Sequence, residues 1–508
     1  MALGASCATD SVRGAQQSQH PNIVVILADD FGVGDIVGLN QGGKIPTPYF
    51  DQFVRESMSF TDAHSGSAVC SPTRYGLLTG RYAWRTVLQN WVLDVYDPPL
   101  IAEDRLTLPK MLKQHGYATA CIGKWHLGSI WTGEGEGRAK QVDFTVPIQQ
   151  GPTTRGFDYY FGTDVPNYPP FTFIENDRVA VQPTDKMGPY DEIVHVRFEG
   201  SPMAPGWRFD EILPGLTEKA VDYIHARAKT QGPFFLYFPM TSPHEPVAPS
   251  DRFKGRSGVA PIADFLMETD WSAGQLLKAL DEAGIANNTI VIVAGDNGHS
   301  RYTQMETLTK HGHLANGPYR GHKGEIWEGG HRVPFIVRWP GKIAPNTRNN
   351  QPVCLNDVMA TCAAIINFEL PGNAAEDSVS LLPILTGKTK APAREALINH
   401  SNTGQFAVRQ GPWKLVTIAD KEKAPKYELY NLDVDAAESN NVSAQYPERI
   451  EAMIALLDKF VTEGRSTPGR PQHNDTLDID VRHLPKAHWA KPRPDLRQNG
   501  NRSAMSNA

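Results

Sequence analysis

The sequence predicts an α/β protein: a large, mostly parallel sheet flanked by helices, with a smaller C-terminal α+β domain that carries an antiparallel sheet. Three observations carry this. Four short apolar runs are separated by helical patterns, each run is followed at once by a cluster of polar residues, and from about Arg394 the pattern turns to short alternating strands. The runs are Asn22 to Ala28, Tyr117 to Gly123, Phe234 to Met240 and Thr289 to Ala294, all rich in branched or aromatic side chains and bounded by turn-forming or polar residues. Helices are predicted from Thr107, an N-cap, to Gly116, a C-terminal glycine, and over Thr217 to Lys229 and Asp264 to Ala283. Strand alternating with helix implies parallel pairing with both faces covered. The polar clusters are Asp29-Asp30, Lys124-Trp125-His126, Ser242-Pro243-His244-Glu245 and Asp296-Asn297. Ligands of open α/β sheets bind beyond the carboxyl ends of the strands, so these distant clusters are expected to meet at one edge.

At 508 residues and 40% hydrophobic, the chain exceeds what one core serves. The expected division is a leader at 1–20, an α/β catalytic domain at 21–393, an α+β subdomain at 394–466 and an extended, partly disordered tail at 467–508. A net charge of −6 gives no general attraction to nucleic acid, so an anionic substrate needs local cations. The five cysteines, at 7, 70, 121, 354 and 362, form no CxxC pair, which disfavours structural zinc and a disulfide framework. No apolar run is long enough to cross a bilayer. The first twenty residues are small and polar, and Leu3 to Cys7 resembles a lipoprotein processing site with the leucine one place early. Export to the periplasm, surface or medium is therefore expected.

Between about Ser129 and Pro214 the chain is rich in Gly, Pro and aromatics, the composition of long ordered loops and a pocket wall. In the C-terminal part, strands are predicted at Phe406 to Val408, Trp413 to Thr417 and Tyr427 to Tyr430. A helix follows from Pro447 to Gly464 with Ile450, Met453, Ile454, Leu457, Phe460 and Val461 on one face.

A lone cysteine between Val69 and Ser71 is more often a small buried side chain than a catalyst. Here Pro72 suits the first turn of a helix that Thr73 to Thr79 continue, which puts Cys70 at a helix N-terminus, where backbone N–H groups favour anions. Arg74 adds a forked cation. The run Cys70-Ser71-Pro72-Thr73-Arg74, continued by Gly76-Leu77-Leu78-Thr79-Gly80-Arg81, resembles the signature of the type I, formylglycine-dependent sulfatases of the alkaline-phosphatase-like superfamily. Thr73 stands where serine is commoner. The resemblance implies that a maturation enzyme oxidises Cys70 to formylglycine. One hydroxyl of the hydrated aldehyde attacks sulfur, and loss of the proton from the other expels sulfate.

Asp29, Asp30, Asp296 and Asn297 are hard oxygen donors of the kind Ca²⁺ or Mg²⁺ takes, although an acidic pair after a strand is commonly just a turn former. The resemblance implies that these four and the modified Cys70 bind one divalent ion, usually Ca²⁺, which acidifies the attacking hydroxyl. If their strand continues, Lys124 and His126 share a face. By resemblance, Lys124 grips the sulfate, His126 deprotonates the hemiacetal, His244 protonates the leaving oxygen, and Lys323, in His322-Lys323-Gly324-Glu325, is a second sulfate ligand. Glu328-Gly329-Gly330 is then structural.

The nearest alternative is a phosphate or phosphonate monoester hydrolase of the same superfamily. Against it stands the absence of a second Asp and His ligand set in the sequence pattern. A further alternative is a non-catalytic binder of sulfated glycans. The substrate expected is a sulfated saccharide, because long loops suit a sugar pocket and the similarity is closer to polysaccharide and glycosaminoglycan sulfatases than to steroid-acting forms. His299, His311, His313 and Arg320 are candidate sugar contacts, with surface-loop roles at least as good a reading.

Overall fold

Every residue of the strand Asn22–Asp29 is buried, because neighbours hydrogen-bond to both its edges and helices cover both its faces. In this computed structural model, which describes residues 20–40, 43–189, 198–391, 393–419 and 424–485, that strand sits within a ten-stranded sheet. Nearly all of the predicted leader and the end of the predicted tail lie outside the described residues. The sheet order is Thr347–Asn349, Met58–Phe60, Phe335–Arg338, Thr289–Gly295, Asn22–Asp29, Phe234–Pro243, Ala118–Lys124, Tyr159–Thr163, Ile174–Glu175 and Arg178–Val179. From Thr289–Gly295 to Tyr159–Thr163 all pairing is parallel, with Ile23 opposite Phe235 on one side and Ile290 on the other. Antiparallel pairs border this centre on both sides.

The two faces of the central strand feed two cores. Ile23, Val25 and Leu27 pack with residues of the helices Cys70–Thr79, Leu108–Gln114 and Asp357–Ile365. Val24 and Ile26 pack with Pro48–Arg55, Ile212–Ala228 and Pro261–Glu282. Each such aliphatic side chain contributes about 1.5–3 kcal/mol of burial. Thr107 caps its helix as predicted, its hydroxyl accepting from the Lys110 N–H. The helix predicted from Thr217 starts at Ile212, with Pro214 and Gly215 in its first turn, where the missing proline N–H costs no helical hydrogen bond.

The second sheet is antiparallel, in the order Leu397–His400, Phe406–Gln410, Trp413–Ile418 and Lys426–Asn431. The helix Pro447–Thr462 buries Met453, Ile454, Leu457 and Phe460 in a core shared with Leu415, Leu429 and Trp84. The chain from 467 to 485 contains no helix or strand, yet it is anchored: Asp475 pairs with Arg81 at 3.0 Å, and Val481 is buried. Among the described residues no helix is long and apolar enough to cross a membrane.

This second sheet reaches the motif loop. The Asn399 amide donates to Ser65 O at 2.9 Å, the Ala68 N–H donates to His400 O at 2.8 Å, and the Asn402 N–H donates to Gly324 O at 3.0 Å. Both the segment entering Cys70 and the one following Lys323 are thereby held from outside the main sheet.

Candidate active site

Strand ends deliver most of the site. The central strand ends at Asp29, and Asp30 turns away in the left-handed region (φ 62°), which aspartate tolerates better than most residues. Ala118–Lys124 ends at Lys124, Phe234–Pro243 leads into His244, and Thr289–Gly295 leads into Asp296 and Asn297. Cys70 opens its helix, as the sequence implies, and every residue from Cys70 to Thr79 is buried.

All ten predicted site residues meet. Arg74 donates to Asp296 at 2.7 and 3.1 Å and to the Lys124 carbonyl at 3.0 Å, and lies 3.5 Å from Asp29. The Lys124 ammonium is 2.7 Å from Asp29 Oδ2, and that of Lys323 is 2.7 and 2.8 Å from the two Asp30 oxygens. Asn297 donates to Asp30 Oδ1 at 2.9 Å and to Gly298 O at 3.0 Å, and both of those partners can only accept. Its amide orientation is therefore fixed, leaving Asn297 Oδ1 buried and without a partner, as is Asp29 Oδ1. Ligand atoms of Asp29, Cys70 and Asp296 lie within 4.8 Å of one another, as do those of Asp29, Asp30 and His244.

Burial pushes the Asp29 carboxyl up, but Lys124, His244, Arg74 and Lys323 outweigh it and hold it well below the usual range. Asp296 goes the other way, because burial and the adjacent Asp29 raise it well above that range despite Arg74. A carboxyl so placed ionises readily only against a further cation. Two bare buried oxygens beside such a carboxyl suit a hard, oxygen-seeking divalent ion.

The two histidines are fixed tautomers. His126 has one ring nitrogen, Nε2, 3.0 Å from Leu93 O; a carbonyl only accepts, so Nε2 carries the proton and Nδ1 is a bare, buried acceptor. His244 Nδ1 donates to Glu245 O at 2.6 Å, leaving Nε2 bare and 4.0 Å from Asp30. Burial and Lys124 push His126 down to about 3, and burial and Lys323 push His244 down to about 4, so both are neutral in the free protein.

Several expectations need correcting. The strand does not continue through His126, whose φ of 53° is left-handed; a turn, not strand alternation, brings it beside Lys124. His299 and His313, candidate sugar contacts that could also be surface-loop residues, are instead buried, each with a ring nitrogen 2.9 Å from Asp35. Arg320 stacks 3.8 Å over Trp327 and donates to Tyr430 and Glu438, and the exposed His311 ends a short helix. None of the four lines the cleft above Cys70.

That cleft, of about 370 Å³, is walled by Asp30, Cys70, His126, His244 and Lys323, by Glu245 of the predicted cluster after Phe234–Pro243, and by residues that sequence reasoning did not single out: Trp91, Asn167 and Asn402. Arg138, Val165, Tyr168 and Phe198 come from the long loops predicted as a pocket wall. A larger cavity of about 710 Å³, beside Arg208 and the 247–261 segment, includes no Cys70 and none of its partners.

Fold and site together suit hydrolysis of an anionic ester, with an acidic group that could hold a metal ion next to a cysteine at a helix N-terminus and three cations. The chain belongs to the sulfatase family: the family model described as Sulfatase matches residues 21–368, and that described as N-sulphoglucosamine sulphohydrolase, C-terminal, matches 322–465. It is therefore a sulfuric ester hydrolase. An N-acetylgalactosamine-6-O-sulfatase of Bacteroides thetaiotaomicron is 33% identical over 498 residues, covering 88% of this chain and 94% of the relative. Arylsulfatase A of Homo sapiens is 31% identical over 500 residues, with 90% and 92% covered. A solved Bacteroides thetaiotaomicron structure titled for the metabolism of multiple glycosaminoglycans superposes with a TM-score of 0.76 at 30% identity, covering 87% of this chain and 99% of that one.

Proposed function

We propose that the enzyme hydrolyses sulfate esters of a sulfated carbohydrate, using formylglycine made from Cys70 by a maturation enzyme and one divalent ion, Ca²⁺ ahead of Mg²⁺. The observation that carries this is the pair of bare buried oxygens, Asp29 Oδ1 and Asn297 Oδ1, in a carboxylate cluster that reaches Cys70 through Asp29 and Asp296 and is paired with three cations. Asp29, Asp30, Asp296, Asn297 and the oxidised Cys70 would hold the ion. When bound, the ion neutralises sulfate charge and acidifies the aldehyde hydrate that serves as nucleophile.

The protein's own groups do the rest. Arg74 spans Asp296, Asp29 and the Lys124 carbonyl, which fixes the distance between the helix N-terminus and two strand ends. Lys124 and Lys323 are each anchored on a carboxylate and keep further N–H donors for sulfate oxygens. Such preorganised charge stabilises the transition state without rearranging during the reaction. His126 Nδ1 takes a proton at the hemiacetal hydroxyl. His244 Nε2 delivers one to the leaving oxygen, since a bound sulfate anion raises its basicity from the free-protein value of about 4.

The carbohydrate reading is supported by the name of the N-acetylgalactosamine-6-O-sulfatase relative and by the deep loop-walled cleft. In this proposal residues 21–393 carry the chemistry, 394–466 buttress the motif loop, and the chain works after export. The test is sulfate release from defined sulfated saccharides, with steroid sulfates and matched phosphate esters alongside. The substrate is given to protein from a host able to oxidise the cysteine, and the Cys70 peptide is mass-mapped. Saccharide turnover with a formylglycine peptide is expected; unmodified Cys70 in active protein, or preferred cleavage of steroid sulfate or phosphate, sinks the reading.

A further inference from the structure

The part of the cleft next to His244 differs in character from its cationic floor. Asn167 lines it and is only 7% exposed. Its Nδ2 donates to Glu245 Oε1 at 3.1 Å, and a carboxylate can only accept, so the amide cannot flip without placing oxygen against oxygen. Asn167 Oδ1 is left buried with no partner. A buried acceptor in this state costs free energy unless something donates to it. Glu245, whose own carbonyl fixes the His244 tautomer, adds a carboxylate beside it. This wall is therefore acceptor-rich and negative, at the residue adjoining the proton donor for the leaving oxygen.

Flat apolar surface surrounds the pair. The Trp91 side chain is 53% exposed at the cleft, on backbone tied down by its N–H donating to Asn402 O at 2.6 Å, and Tyr168 and Phe198 form another part of the wall. Among the described residues the one further cation of the wall, Arg138, is paired with Asp94 at 2.9 Å.

Resting on the carbohydrate reading above, we infer that Asn167 and Glu245 form a subsite for a neutral hydrogen-bond donor, a ring hydroxyl or an acylamino N–H, on the sugar that leaves as the alcohol. Aromatic faces take the flat side of the pyranose while Asn167 Oδ1 and the carboxylate receive its donors. A second sulfate or a carboxylate at that position meets like charge. The pair thus selects a sugar singly sulfated near the ester over aryl alcohols, which have no donor there.

The test uses the mature full-length enzyme and kcat/KM for three probes: monosulfated galactoses and N-acetylgalactosamines, their analogues with one donor next to the ester replaced by hydrogen, and 4-nitrophenyl sulfate. Wild type should disfavour one such deletion by about tenfold, the worth of a lost buried hydrogen bond. In Asn167→Ala the ratio of saccharide to aryl sulfate kcat/KM should fall by a similar factor and the penalty for that deletion should vanish. Such non-additivity marks direct contact. Glu245→Gln, which lets an amide donor occupy Asn167 Oδ1, should erode the same ratio and covers the case in which the alanine variant does not fold. A deletion penalty unchanged in both variants, or absent in wild type, overturns the subsite alone. Aryl turnover with no saccharide turnover overturns the carbohydrate reading with it.

Discussion

Two buried clusters in this protein have nearly the same ingredients and opposite uses. At the sheet edge, Asp29, Asp30 and Asp296 face Arg74, Lys124 and Lys323. Between the main sheet and the second sheet, Asp62, Glu328 and Glu438 face Arg332, Arg409 and Lys414. Both pair three carboxylates with three cations, and both include histidines. In the second cluster the polar groups face one another. His331 Nε2 lies 3.0 Å from the Ile326 carbonyl, which only accepts, so Nε2 carries the proton and His331 Nδ1 accepts from His64 Nδ1 at 3.0 Å, while His64 Nε2 sits between Asp62 Oδ1 at 2.6 Å and Arg332 Nη1 at 3.0 Å. Lys414 sits 2.7 Å from Glu438, 3.0 Å from Glu328 and 3.1 Å from His331 Nε2, putting a fixed cation against two members of the group His64, Glu328 and His331. The first cluster keeps bare oxygens on Asp29 and Asn297, whereas the oxygens without a hydrogen bond in the second, Glu328 Oε1 and Glu438 Oε1, face the Lys414 ammonium at 3.0 and 2.7 Å, and its other unpaired atoms are the donors Arg332 Nε and Arg409 Nη1. What separates a site from a clamp is thus the chemistry around the bare oxygens, not the residue types.

The largest effect that would sharpen this contrast is kinetic. Cys70→Ala should lower turnover by about 10⁴-fold or more while leaving the urea midpoint near wild type, measured on the same preparation. Lys414→Met should do the reverse, costing about 3–5 kcal/mol in urea unfolding because it strands buried Glu328 and Glu438, while the folded fraction keeps most of its kcat. A Lys414→Met protein with normal stability would break the comparison.

A smaller effect concerns acid. Although burial pushes Asp62 up, Arg332, His64 and Arg409 hold it down at about 2. Because its folded value lies below the unfolded one of about 4, the stabilisation is fully present above pH 4 and is lost as pH falls toward 2. It amounts to on the order of 2 kcal/mol, and Asp62→Asn should flatten that limb of a pH series of urea midpoints. An unchanged limb would mean that Asp62 does not carry the clamp. Least of all, His311→Ala should leave kcat/KM for a sulfated saccharide and the urea midpoint within error, as exposed positions outside both clusters do.

Much of this was legible in the sequence. The parallel centre was visible because strands buried on both faces must be continuous apolar runs, as Asn22–Asp29 and Phe234–Pro243 are. The site followed from the rule that such strands present their carboxyl ends to ligands, which gathered Asp29, Lys124, His244 and Asp296 from across some 270 residues of chain. Partnerships between loops were not legible. Asp35 claims His299 and His313 from more than 260 residues away, and nothing adjacent in sequence marks either histidine as taken. Asn167, 78 residues from Glu245, is an ordinary loop residue until the fold sets it against that carboxylate. The left-handed turn at His126 also escaped a reading based on strand alternation.

The central claim is that the unsaturated cluster completes itself with one divalent ion, and metal content measured alongside turnover tests it most directly. Purified wild type should carry one divalent ion per active chain, and Asp296→Ala should lose ion and sulfatase activity together. Wild-type protein freed of divalent metal that still turned over at its full rate would contradict the account.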